Sequence, residues 1–93
     1  MRVEWDPDKA RENRRKHGVD FDEALTVFLD PLSLIASDDD HSVDEDRFVI
    51  IGRSARRRLL VVVFTDRNRQ IRVISARSAT KGEDDSYAKG NPA

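Results

Sequence analysis

"RLLVVVFTDRNRQIRVISAR", residues 58–77, decides the fold. Leu59 to Phe64 is apolar on both faces, which marks a strand inside a sheet rather than at its edge. Asp66–Asn68 then supplies turn chemistry. "RQIRVISAR" (69–77) reads as a strand again. A connection this short pairs the two strands antiparallel. Just upstream, "DRFVIIGRS" (46–54) is a further apolar strand, with a tight connection near Ser54–Arg57. The three form a meander.

Further out, the chain changes period. "DPDKARENRRKHG" (6–18) carries helix punctuation at both ends. Asp6 caps, Pro7 suits the first turn, and Gly18 stops the helix in a left-handed conformation. Its face of Ala10, Asn13 or Arg14, and His17 is only weakly apolar, so this helix rests on the surface of the domain. "DFDEALTVFLDP" (20–31) starts a second helix, with Asp20 and Glu23 as a capping box and Val19 with Ala24 as its hydrophobic staple. Phe21, Ala24, Leu25 and Phe28 form its apolar stripe. Trp5 packs beside the first helix. "MRVEW" and "LSLIAS" (32–37) are short strands. "ATKGEDDSYAKGNPA" (79–93) is a weak helix, loosened by Gly82 and frayed from about residue 88.

The expected fold class is α+β: two N-terminal helices packed on a roughly four-stranded, mainly antiparallel sheet, with a weak C-terminal helix. Ninety-three residues suit a single domain over 1–93.

Charged residues make up 38% of the chain, yet the net charge is only −1. The signs are segregated. Residues 38–46 hold six acids around His41, a loop histidine, and residues 53–77 hold eight arginines against one acid, Asp66. Arginine forks match phosphate or carboxylate, and a charged strand edge also resists aggregation. There is no cysteine, no metal-ligand cluster, no Gly-rich phosphate loop and no membrane-length apolar run. No cofactor, metal or membrane is expected, and the cytoplasm is the expected compartment.

Arg77 is the sharpest candidate for chemistry. Strict alternation puts it on one strand face with Ser75, Val73 and Ile71, and puts Arg72, Ile74 and Ala76 on the other. Either an external phosphate or an internal carboxylate would satisfy it. Arg58 opens the middle strand, where antiparallel pairing can bring it beside Arg77. Two cations with no acid between them suit a phosphodiester. His17 is the acid–base group poised near neutral pH, and Lys16 sits next to it, although both also suit the carbonyl end of a helix. Glu83 and Tyr87 share a face if the tail is helical. Tyr87 either stacks on a base or docks that helix.

Taken together, the segments resemble the BrnT family. The pattern "WDxxKAxxNxxKHGVxF" runs from Trp5 to Phe21, "EDRFVIIGRS" follows at 45–54, and "ISAR" stands at 74–77. The resemblance covers residues 3–80. It implies a RelE-like fold and the toxin half of a type II toxin–antitoxin pair. It also implies metal-free RNA cleavage by attack of the ribose 2′-hydroxyl on the adjacent phosphate. Arg77, Arg58, His17, Lys16 and Glu83 are then the expected catalytic residues, and Arg69, Arg72, Ser75 and Tyr87 the expected RNA contacts. The implied partner is a BrnA-like ribbon–helix–helix antitoxin in a heterotetramer, which alone touches operator DNA.

The tail departs from the family pattern. Asp84 stands where arginine is usual, Gly82 loosens the helix, and Asp85 adds an acid. That favours, as alternative, a catalytically weak binding module acting as antitoxin ligand and co-repressor. A toxin of the same fold aimed at DNA gyrase is a third reading. The nuclease reading asks for guanidinium groups converging at one rim without carboxylates of their own. Arginines each clasped from within would leave a docking scaffold.

Overall fold

The computed structural model describes residues 2–38 and 46–90, so the expectation for His41 lies outside the described residues. The elements are β1 (Arg2–Glu4), α1 (Pro7–His17), α2 (Phe21–Leu25) with a 3₁₀ turn (Thr26–Leu29), β2 (Leu34–Ser37), β3 (Arg47–Arg53), β4 (Leu59–Arg67), β5 (Gln70–Ser78) and α3 (Lys81–Lys89). The class is α+β, as expected. The sheet has five strands rather than about four, in the order β1-β5-β4-β3-β2. β1 joins β5 in parallel, and the other pairings are antiparallel. No helix among the described residues is long and apolar enough to cross a membrane.

The central hairpin forms as its residues dictate, but its turn sits further along than Asp66–Asn68. Asn68 and Arg69 take positive φ of 53° and 63°, while Asp66 and Arg67 remain in β4. Two successive left-handed residues match the twist of the flanking strands. The β3–β4 connection falls at Ser54–Arg58, as expected, closed by Ser54 N–H to the Arg58 carbonyl at 2.8 Å.

One irregularity redistributes the side chains of β5. Val63 pairs with Ser75 but Phe64 pairs with Val73, so Ile74 is an extra residue, a β-bulge. Alternation restarts across it. Val73 and Ile71 therefore share a face with Ala76, not with Arg77. Arg72 joins Ser75 and Arg77 on the opposite face. The sequence-based assignment of faces is corrected at this bulge, because a bulge flips every position beyond it.

The core lies on the Ala76 face. Leu60, Val62, Phe64, Ile50, Ile71, Val73 and Ala76 pack there against Val19, Phe21, Ala24 and Val27. Trp5 meets Phe21 edge-on with ring centroids 5.9 Å apart, and Phe28 meets Phe64 at 5.0 Å. Gly52 allows the 3₁₀ turn to approach β3. A Cβ there would stand 3.1 Å from the Val27 carbonyl oxygen and 3.2 Å from Val27 Cβ.

α1 starts and stops as read: Asp6 accepts from Asp8 N–H at 2.8 Å, and Gly18 has φ 67°. The capping box expected at Asp20 and Glu23 does not form, because Glu23 turns inward to another partner. The reciprocal box sits instead on α3, between Thr80 and Glu83. It holds the last helix through Lys89, with Gly90 as its stop. α3 lies on the sheet face opposite the core, across the row formed by Ile51, Val61 and Arg77.

Candidate active site

β1 pairs only with Gln70–Arg72, so β5 runs on from Val73 to Ser78 without a strand on that side. α1 covers this edge, and Asn13 makes the join. Its carboxamide accepts from Ala76 N–H at 3.0 Å and donates to the Ala76 carbonyl at 2.8 Å. A second amide hydrogen reaches the Val19 carbonyl at 3.0 Å. One side chain thus supplies the donor and acceptor that a neighbouring strand would have offered.

This join places the end of α1 against the bulge. Lys16 and His17 from α1 line an open groove of about 260 Å³ together with Ile74 and Ser75 from β5. Three expected site residues, from two segments far apart in sequence, are gathered here. Lys16 Nζ lies 3.7 Å from Glu12, an exposed pair that holds it weakly. Arg77 follows Ser75 on the same face, on the order of 7 Å further along the strand.

Arg77 is not free. Its two terminal nitrogens donate to the two oxygens of Glu83 at 2.7 and 2.8 Å, a fork-to-fork pair. Thr80 N–H adds a bond to Glu83 at 2.9 Å. The guanidinium beside it, assisted by that backbone bond, holds the Glu83 carboxyl at about 2, well below the usual carboxylate range, although burial works the other way. The terminal fork of Arg77 is consumed. Its Nε edge donates to none of the described residues, and the side chain is 40% exposed.

Arg58 is not beside Arg77. It lies on the core side, where Nε donates to Glu23 at 2.9 Å and Nη2 reaches the other Glu23 oxygen. Nη2 also donates to the Gly18 carbonyl at 3.2 Å. The Ser54 hydroxyl donates to Glu23 at 2.6 Å. This network ties α2 to the β3–β4 turn. The Arg58 hydrogen bonds hold Glu23 ionised, with Ser54 helping and burial opposing. The expected pair of neighbouring, unneutralised cations does not exist, because Arg58 and Arg77 face opposite sides of the sheet and each has a carboxylate.

Residues 5–83 match the family model described as "Ribonuclease toxin, BrnT, of type II toxin-antitoxin system". The chain belongs to the BrnT family. It is also similar to the crystal structure of the Brucella abortus ribonuclease toxin BrnT, with TM-score 0.69 and 26% identity, over 87% of this chain and 99% of that one. Comparison with curated proteins gives no match. BrnT-family membership makes the chain a ribonuclease toxin at family level and implies an antitoxin as partner.

The remaining expected residues of this BrnT-family chain are spread more widely. Arg72 faces Glu4 across the β1–β5 pair at 3.3 Å. Arg69 stands at the tip of the β4–β5 turn, at the other end of β5 from Arg77. Tyr87 docks its helix: its hydroxyl donates to Asp30 at 2.6 Å, and the Arg53 guanidinium lies 5.6 Å from its ring centroid. Asp30 also accepts from the amides of Arg53 and Leu32, which keeps its carboxyl low against the cost of burial.

Sequence reasoning missed Asn13 and Glu23 as organisers. Asn13 stood within the family pattern, and its position on the inward face at helical spacing was the available signal. Glu23 read as a cap, and nothing local shows that its partner is 35 residues away.

The Arg77–Glu83 pair has a pH signature. The folded pKa of Glu83 lies below its ordinary 4.5, so the stabilisation is complete above pH 4.5 and lost as pH falls towards about 2. Partial exposure of Arg77 reduces it to about 2 kcal/mol. Urea unfolding followed from pH 6 to pH 2.5 is expected to show a steeper loss for the native chain than for Glu83→Gln. Parallel losses would dissociate the pair from acid stability.

Proposed function

We propose that this chain cleaves RNA at the β5 rim, where Lys16 and His17 meet Ser75 and Arg77 follows on the same face. The gathering of Lys16, His17 and Ser75 around one groove, next to Arg77 on the same strand, carries the reading. The ribose 2′-hydroxyl gives its proton to a base and attacks the adjacent phosphorus. The bond to the 5′-oxygen breaks, and that oxygen takes a proton. The products are a cyclic phosphate and a 5′-hydroxyl. His17 is the side chain suited to move these protons near neutral pH. Lys16 and the Nε edge of Arg77 counter the charge that builds on the phosphoryl oxygens. Glu83 fixes the plane of Arg77 and Ser75 orients its neighbours. A BrnA-like ribbon–helix–helix antitoxin in the cytoplasm restrains the activity and carries the pair to operator DNA, with a heterotetramer as the assembly. The exposed apolar side chains of Leu29, Leu32 and Ile35, near the outer strand β2, favour a protein partner there.

Expression without the antitoxin is expected to stop growth, and the purified chain to leave RNA ends bearing cyclic phosphate. His17→Ala is expected to slow cleavage at least a hundredfold. Full cleavage by the folded variant would remove His17 from the chemistry. The ion pairing of both Arg58 and Arg77 favours a second reading, a binding module that serves as antitoxin ligand and co-repressor. Tight antitoxin binding with no RNA cleavage at high protein concentration would select it.

A further inference from the structure

Far along the same sheet face from Arg77 lies a second groove, of about 340 Å³, which the proposed chemistry does not use. Arg47 on β3 pairs with Thr65 on β4, and Thr65 pairs with Arg72 on β5. The three therefore form one row across the sheet on a shared face. With strands about 4.8 Å apart, the two arginines flank Thr65 from backbones about 10 Å apart. Their side chains are long enough to converge above its hydroxyl. Gln70 adds an amide and Arg67 a further guanidinium to the lining, and Glu4 is the one acid among its described residues.

Arg47 is the informative residue. Its Nε is buried and donates to none of the described residues. A buried, unsatisfied donor on a cation is costly, and native proteins rarely keep one without use. Among the described residues Arg72 is held by Glu4, in a pair about half exposed on each side, a contact that a phosphate can displace.

We propose that Arg47 and Arg72, with Thr65 between them, form a second anion subsite that holds a phosphate of the RNA chain away from the cleaved bond. This rests on the reading of the chain as an RNA-cleaving enzyme. Along β4 the Arg77 row and this row are four residues apart, about 13 Å. The half-buried Val63 and Ser75 lie between them. A single strand that passes the exposed part of Arg77 and runs along β5 covers this distance. The subsite grips substrate without taking part in bond breaking.

The test uses the full chain and an RNA oligonucleotide with 2′-deoxyribose at every position that would be cut. Binding is measured over a range of salt. Each phosphate contact on a single strand contributes about 0.7 to the slope of log K against log salt. Arg47→Gln is expected to lower that slope by about 0.7 and weaken binding about tenfold. Arg47→Lys is expected to keep the slope. Arg72→Gln, at an exposed position, is expected to lose the same slope even if Arg47→Gln unfolds. Native binding with an unchanged slope in Arg72→Gln and in any folded Arg47→Gln overturns the subsite alone. Failure of the native chain to bind the oligonucleotide overturns both the subsite and the RNA reading. Loss of antitoxin affinity with RNA binding intact would assign the groove to a protein acid instead, and also overturns it.

Discussion

Arg77→Ala is expected to reduce RNA cleavage by about a hundredfold or more while the chain stays folded. Removing one preorganised donor from a developing phosphoryl charge has an effect of that size. The deletion also strands Glu83, but this carboxylate sits at the start of α3, accepts from Thr80 N–H at 2.9 Å, and can turn to water. The stability loss is expected to stay near 2 kcal/mol. Glu83→Gln separates the two members of the pair. If Arg77 acts on the phosphate, Glu83→Gln keeps the guanidinium near its place and most of the activity. If Glu83 were the proton acceptor, the two variants would lose activity equally. Single-turnover cleavage of a defined RNA, with denaturant midpoints measured alongside, distinguishes these outcomes. Native cleavage in folded Arg77→Ala would remove Arg77 from the site.

Asn13→Ala is expected to give the largest loss of stability, about 3 kcal/mol. It removes three hydrogen bonds at once and leaves the Ala76 amide and carbonyl and the Val19 carbonyl without partners. A domain of this size holds a total of about 5–15 kcal/mol, so the change is severe. Asn13→Asp is expected to be worse near neutral pH, because a carboxylate would face two carbonyl oxygens with nothing to donate. The urea midpoint should fall with an unchanged slope. A loss below about 1 kcal/mol would show that α1 is held to β5 by other contacts. Since the same helix carries Lys16 and His17, residual folded Asn13→Ala is also expected to cleave slowly.

The strands and their order along the chain were legible because the signals are local. The apolar run Leu59–Phe64, the turn residues after it, and the caps at Asp6 and Gly18 act within a few residues of where they stand. The gathering of Lys16, His17 and Ser75 was only partly legible: each was a candidate alone, but nothing in the sequence says that α1 closes the free edge of β5.

Residue order alone determined an antiparallel meander with helices before and after it, a charge map of opposite signs, and membership of a ribonuclease toxin family. Tertiary structure alone decided which arginines are spoken for. Two facts separate Arg58 from Arg77: the bulge at Ile74, which resets the β5 faces, and the long-range carboxylates Glu23 and Glu83, which claim one guanidinium each. A side chain's face depends on every residue between it and its register point, and its partner depends on how the elements pack. Neither can be read from a window of neighbours.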